Sequence, residues 1–214
     1  MNDWRFDLLG FPVRVQPAFL GLLAIYALFS LQARQPMYAL VSFCVVVFVS
    51  ILVHELGHAM VARRYRLRVG DIVLHGMGGH VTHAPGTVPQ SLAISLAGPF
   101  AGLALGLIVW ALAPFVPPHP IPMTVIDDLL WVNIGWSIFN LLPMMPLDGG
   151  NALRSALQLR FTRVQATRWA AYSGLGIGVL LVILGLQFDM IFVLAIGGFS
   201  AYQNWGVLQQ LPRR

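Results

Sequence analysis

From Met37 to Val53 the chain runs without a charged residue, and it then reads His54-Glu55-Leu56-Gly57-His58. Glu55 is the only glutamate in the molecule. A run this apolar fits a membrane span, which needs about 20 residues of the kind. An ionised side chain inside a span is costly, so by default it marks a functional site. Here it lies between two histidines spaced i and i+4, which share one helix face and can hold one ion. Glu55 falls about 100° round the same helix, where it can act on a water at that ion.

The rest of the sequence fits a bilayer protein. Hydrophobic residues make up 57% of the chain and charged residues 10%, against about a quarter charged in soluble domains. Six apolar stretches can be delimited: Pro17–Leu31, Met37–Ala62, Ser91–Ala113, Val125–Leu147, Trp169–Leu186 and Met190–Leu208. The expected class is an all-α membrane protein with about six transmembrane helices, forming one polytopic domain over residues 1–214. Every basic residue other than histidine is arginine. With the N-terminus inside, all arginines except Arg34 fall in inner segments, while Asp127, Asp128 and Asp189 fall outside. This positive-inside bias predicts both termini in the cytosol and a multi-pass protein of the cell membrane, a bacterial plasma membrane being expected. Arginines that set topology also account for the high pI, so no nucleic-acid partner is expected.

Two segments between spans have a character of their own. Residues 66–86 are rich in Gly and β-branched residues and read as a small β-hairpin region between spans two and three. Residues 151–168 read as an amphipathic cytosolic helix, with Leu153, Leu157 and Phe161 at helical spacing among Arg154, Arg160 and Arg163. In span three, Gly98, Gly102 and Gly106 recur every fourth residue, which makes a close-packing face for another helix.

A catalytic zinc needs three protein ligands and an open position. A second glutamate is absent, and the glycine and third-histidine positions of His-Glu-x-x-His-x-x-Gly-x-x-His hold Val61 and Arg64. An aspartate or a distant histidine remains. Asp148 is the best placed: it follows Asn140-Leu141-Leu142-Pro143-Met144-Met145-Pro146-Leu147, where two prolines break a span and free backbone groups. Spans two and four both run inward, so His58 and Asp148 are expected at matching depth in the cytosolic third of the bilayer. His80 and His83 read first as polar hairpin residues near water, with replacement of Asp148 or binding of a second metal as the alternatives.

Taken together, His54-Glu55-Leu56-Gly57-His58 and Asn140-x-x-Pro143-x-x-Pro146-Leu147-Asp148-Gly149 resemble the site-2 protease family of intramembrane zinc metalloproteases. Gly10-Phe11-Pro12-Val13-Arg14-Val15, Gly76-Met77-Gly78-Gly79 and Ala97-Gly98-Pro99 extend the resemblance over nearly the whole chain. It implies one zinc per chain on His54, His58 and Asp148, with Glu55 as general base and Asn140 helping to stabilise the oxyanion. It implies hydrolysis of a peptide bond in or near a transmembrane segment of a membrane-protein substrate within the lipid bilayer, in regulated intramembrane proteolysis. Gly102 and His80 depart from the family's pattern, where Asn and a small apolar residue are more usual. The form expected is compact, without a PDZ or C-terminal regulatory domain. The rival class is a non-proteolytic zinc-binding membrane scaffold or a metal transporter, and Glu55 separates the two, because neither rival needs a base beside the ligands.

Overall fold

The computed structural model describes residues 3–76 and 78–212. Met77 of the glycine-rich turn, and Arg213 and Arg214 of the charge pattern, lie outside the described residues. The chain is mainly helical. Helix α1 spans Pro17–Gln32 and α2 spans Met37–Arg64. The second is long because it holds no proline and a single interior glycine, and it ends on Arg63 and Arg64, charges that favour a helix C-terminus.

The region expected as one hairpin is larger. Strands β1 (Trp4–Leu8) and β2 (Phe11–Val15) form a hairpin before α1, and β3 (Val69–His75) and β4 (Gly78–His83) form the expected one. They join in one four-stranded sheet of order β1-β2-β3-β4. The join is parallel, pairing Val13–Val15 with Ile72–Leu74. Pro12 lies just before that register and so removes no hydrogen bond from it. Leu9 and Gly10 turn the first hairpin with φ of 53° and 78°, the left-handed pair that suits a two-residue turn. Arg63 holds this turn to the end of α2: its Nη1 donates to Leu9 O at 2.9 Å and its guanidinium lies 4.3 Å from the Phe11 ring centroid.

One face of the sheet builds the core. Val13, Val15, Ile72 and Leu74 pack with Phe19 of α1 and Leu52, Leu56 and Ala59 of α2. The histidines lie on another side of α2, so this helix uses one flank for the core and another for chemistry.

Helix α3 spans Val88–Leu112, and a short 3₁₀ turn follows at Ala113–Phe115. Helix α4 (Pro120–Leu130), a π-helical segment (Trp131–Gly135) and α5 (Trp136–Asn140) then run on to α6 (Asp148–Gln158), α7 (Arg163–Gln187) and α8 (Ile191–Gln210). Four stretches among the described residues are helical, long and apolar enough to cross a membrane: Met37–Arg64, Val88–Phe115, Arg163–Gln187 and Ile191–Gln210. Two of the expected six differ. The first is the shorter α1, and the fourth is divided into α4, the π segment and α5, ending at Asn140 where the proline-broken segment begins. The surface helix expected over 151–168 is also divided. Helix α6 stops at Gln158, and Thr162 starts α7 with a capping box in which Thr162 and Gln165 bond reciprocally.

Packing divides the chain into two compact units. One comprises residues 1–85 with 97–138 and holds the sheet, α1, α2 and α4; the other comprises 86–96 with 139–214 and holds α6, α7 and α8. In the second, glycines bring α7 and α8 into backbone contact: a Cβ at Gly197 would lie 2.8 Å from Gly178 O.

Candidate metal centre

His54, Glu55 and His58 are all buried, at 5%, 4% and 8% exposure. They sit in the unbroken helical run of α2, so backbone hydrogen bonds alone place the two imidazoles one turn apart. His54 Nε2 and His58 Nε2 are 3.2 Å apart. Two nitrogens each about 2.0–2.1 Å from one tetrahedral zinc would be about 3.3–3.4 Å apart, so the pair fits a shared ion.

Glycines make room for these side chains, which explains three of the motif positions. A Cβ at Gly98 of α3 would lie 2.8 Å from His54 Nε2 and 2.6 Å from His58 Cε1. One at Gly79 of β4 would lie 2.6 Å from Glu55 Cγ and 2.7 Å from its Oε1. One at Gly57 would lie 2.6 Å from Ala97 O, so α2 and α3 touch backbone to backbone here. The small-residue face of α3 is thus used within the chain: Gly98 meets the imidazoles, Gly102 meets Ser137 and Gly106 meets Ile134.

Asp148 is the first residue of α6, where the helix dipole favours an ionised carboxylate. The segment before it, Leu141–Leu147, has no regular structure. Its carbonyls, freed from helical bonding, need donors, and side chains supply them: Ser173 Oγ donates to Pro143 O at 2.9 Å, and Asn204 Nδ2 donates to Met145 O at 2.7 Å. Asn151 Nδ2 donates to Leu147 O at 3.3 Å. The segment folds back on the first turn of α6, and a Cβ at Gly150 would lie 2.6 Å from Met144 O. Asn140 ends α5 and is buried.

His54, His58 and Asp148 form a group that could hold a metal ion. Among the described residues it is the only such group, and it includes neither His80 nor His83. Both of those are exposed, and the His83 Nδ1 bonds Ala84 O at 2.9 Å. His75 and His80 stand on adjacent strands with ring centroids 5.2 Å apart. Burial, and then the charge of His80, push the His75 imidazole below its ordinary pKa. Two imidazole nitrogens and a carboxylate oxygen are a donor set suited to zinc.

Sequence reading did not single out Ser173, Asn204, Asn133 or Ser50. Their signal was a polar side chain within an apolar helix, where such groups tie helices together. The partners they bond are distant in sequence.

Comparison with known proteins shows the family and the fold. A family model described as Peptidase family M50 matches residues 42–129 and 123–184. The chain is 26% identical over 194 residues to zinc metalloprotease MJ0392 of Methanocaldococcus jannaschii, covering 91% of this chain and 57% of that protein. It is 37% identical over 168 residues to putative zinc metalloprotease Rip3 of Mycobacterium tuberculosis, covering 75% of this chain and 42% of that one. The chain spans about half the length of the curated relatives it matches. Its fold is that of the solved site-2 protease from Methanocaldococcus jannaschii, with a TM-score of 0.70, 23% identity, and coverage of 100% of this chain and 98% of that one. The matched residues take in both the helix that carries His54 and His58 and the loop that leads into Asp148, and the chain belongs to Peptidase family M50.

Proposed function

We propose that this chain is an intramembrane zinc metalloprotease that hydrolyses a peptide bond in or near a transmembrane segment of another membrane protein, in regulated intramembrane proteolysis. The observation that carries the reading is the buried pair of imidazoles with their Nε2 atoms 3.2 Å apart and the lone glutamate beside them on an apolar helix. A metal scaffold or transporter has no use for that glutamate.

In this reading His54, His58 and Asp148 hold one zinc. Zinc bound there supplies Lewis acidity, which makes water a nucleophile near neutral pH and polarises a carbonyl. Glu55 takes the proton from the attacking water and delivers a proton to the leaving amine. Gly79 keeps the space beside its carboxylate free of any side chain. Asn140 donates its amide to the oxyanion that develops on the carbonyl. An extended substrate adds to the open edge of β4, the last strand of the sheet, presenting backbone rather than a closed helix.

The arginine distribution supports an orientation with both termini in the cytosol. Six passes follow if α1 and the α4–α5 stretch also cross the bilayer.

Membranes carrying the wild type are compared by proteomics with membranes carrying Glu55→Gln. Transmembrane fragments or precursors should accumulate in the variant alone. Identical membrane proteomes would remove the protease reading. Proline at His80 or Thr82 of β4 should slow cleavage and leave zinc content unchanged, and unchanged cleavage would remove the edge-strand route.

A further inference from the structure

Two asparagines outside the ligand set bond in the same way. Asn133, in the π-helical segment, is 2% exposed, and Asn204, in α8, is 0% exposed. Each donates its Nδ2 to the carbonyl four residues earlier in its own helix: Asn133 to Leu129 O at 2.9 Å, Asn204 to Ser200 O at 2.7 Å. Each also donates to a partner far off in sequence: Asn133 to Ser50 Oγ at 2.9 Å, Asn204 to Met145 O at 2.7 Å. The Oδ1 of each is buried without a hydrogen-bond partner among the described residues. A leucine would remove each buried Oδ1 but would also take the donor from Met145 O or Ser50 Oγ, so what each amide provides is its donated hydrogen bond to that remote partner.

The remote partners share a property. Ser50 precedes His54 by one turn on the same face of α2. Met145 lies three residues before Asp148, in the irregular segment that ends on it. Room for the second amide is built in as well: a Cβ at Gly174 of α7 would lie 2.5 Å from Asn204 Cγ.

We propose that Asn133 and Asn204 are positioning residues for the metal centre, one for each half of the ligand set. Asn133 holds the turn of α2 that leads into His54. Asn204 holds the backbone that leads into Asp148. The inference rests on the metal-centre reading above and adds to it where the ligand geometry comes from.

The test is zinc affinity of the full chain, measured by competition with a chromophoric chelator, with no substrate present. Asn133→Leu and Asn204→Leu should each weaken zinc binding by about tenfold, at the low end of what outer partners of a metal site are worth. Combination separates the halves. On an Asp148→Ala background Asn204→Leu should add nothing, whereas Asn133→Leu should weaken binding further. A purely structural role would lower the melting temperature and leave the zinc affinity of the folded protein unchanged, and that result overturns the proposal. Full additivity of Asn204→Leu with Asp148→Ala overturns it too. Asn204→Ser, too short to reach Met145 O but smaller than asparagine, carries the same test if Asn204→Leu does not fold. If Asp148→Ala alone leaves zinc affinity unchanged, the metal-centre reading itself fails and the Asn204 arm with it, an outcome distinct from the others.

Discussion

Between Met37 and Arg64, His54 and His58 ride on a continuous helix whose own hydrogen bonds set their spacing. Asp148, by contrast, ends a stretch from Leu141 to Leu147 that has no regular structure and draws donors from Ser173 of α7 and Asn204 of α8. The first region carries its geometry in local sequence. The second depends on side chains contributed by helices that follow it in the chain. A regular element can therefore present ligands with little help, while an irregular one in an apolar setting needs a supporting set of buried polar residues, because every freed carbonyl must find a donor.

Removing a ligand tests the comparison most severely. His54→Ala, His58→Ala and Asp148→Ala should each weaken zinc by more than the roughly 100-fold that outer partners are worth, read by metal content after dialysis. Equal zinc content in Asp148→Ala and wild type would leave the histidine helix sufficient by itself.

Steric changes come next, and they separate the proposed ligands from the proposed base. Gly98→Ala places a methyl group 2.8 Å from His54 Nε2 and should lower zinc affinity. Gly79→Ala places one 2.7 Å from Glu55 Oε1. It should keep zinc and lower turnover by about 10²-fold, the cost of moving a reacting group by about 1 Å. Loss of zinc in Gly79→Ala would mean that β4 shapes the ligands as well.

Smaller effects probe the supports. Ser173→Ala removes the donor to the part-buried Pro143 O and should cost about 1 kcal/mol of stability, the low end of the penalty for an acceptor left unsatisfied, read by thermal melting in detergent. The pH response of the sheet is smaller again. His75 is held below its ordinary pKa by burial and by His80. Its neutral form is favoured in the folded state, so its contribution is complete above about pH 6.5 and declines as pH falls below that. The difference in melting temperature between wild type and His75→Gln should therefore change between pH 7.5 and pH 5.5, and a constant difference would contradict it.

The histidine helix was legible because its message is local: an i, i+4 pair and a lone charge in an apolar run. Asp148 was reachable by elimination, since the chain holds no second glutamate and no histidine at the expected downstream position. Half of the sheet was not legible. Strands β1 and β2 are five residues each, and their link to β3 is a parallel pairing made across α1 and α2. Helix ends were read too generously at Leu147, although Pro143 and Pro146 marked the break. The division at Thr162 had a visible signal in Thr162-x-x-Gln165, the pattern of a capping box. Asn133 and Asn204 had none beyond their polarity, because Ser50 and Met145 are 83 and 59 residues away.

The most direct test of the account is cleavage by purified protein in proteoliposomes, using a substrate recovered from the membrane comparison, with zinc measured in the same samples. Wild type and Glu55→Gln should each hold one zinc per chain. Wild type alone should cleave, and chelation should stop it until zinc is restored. Cleavage by Glu55→Gln at the wild-type rate, or by wild-type protein stripped of metal, would contradict the account.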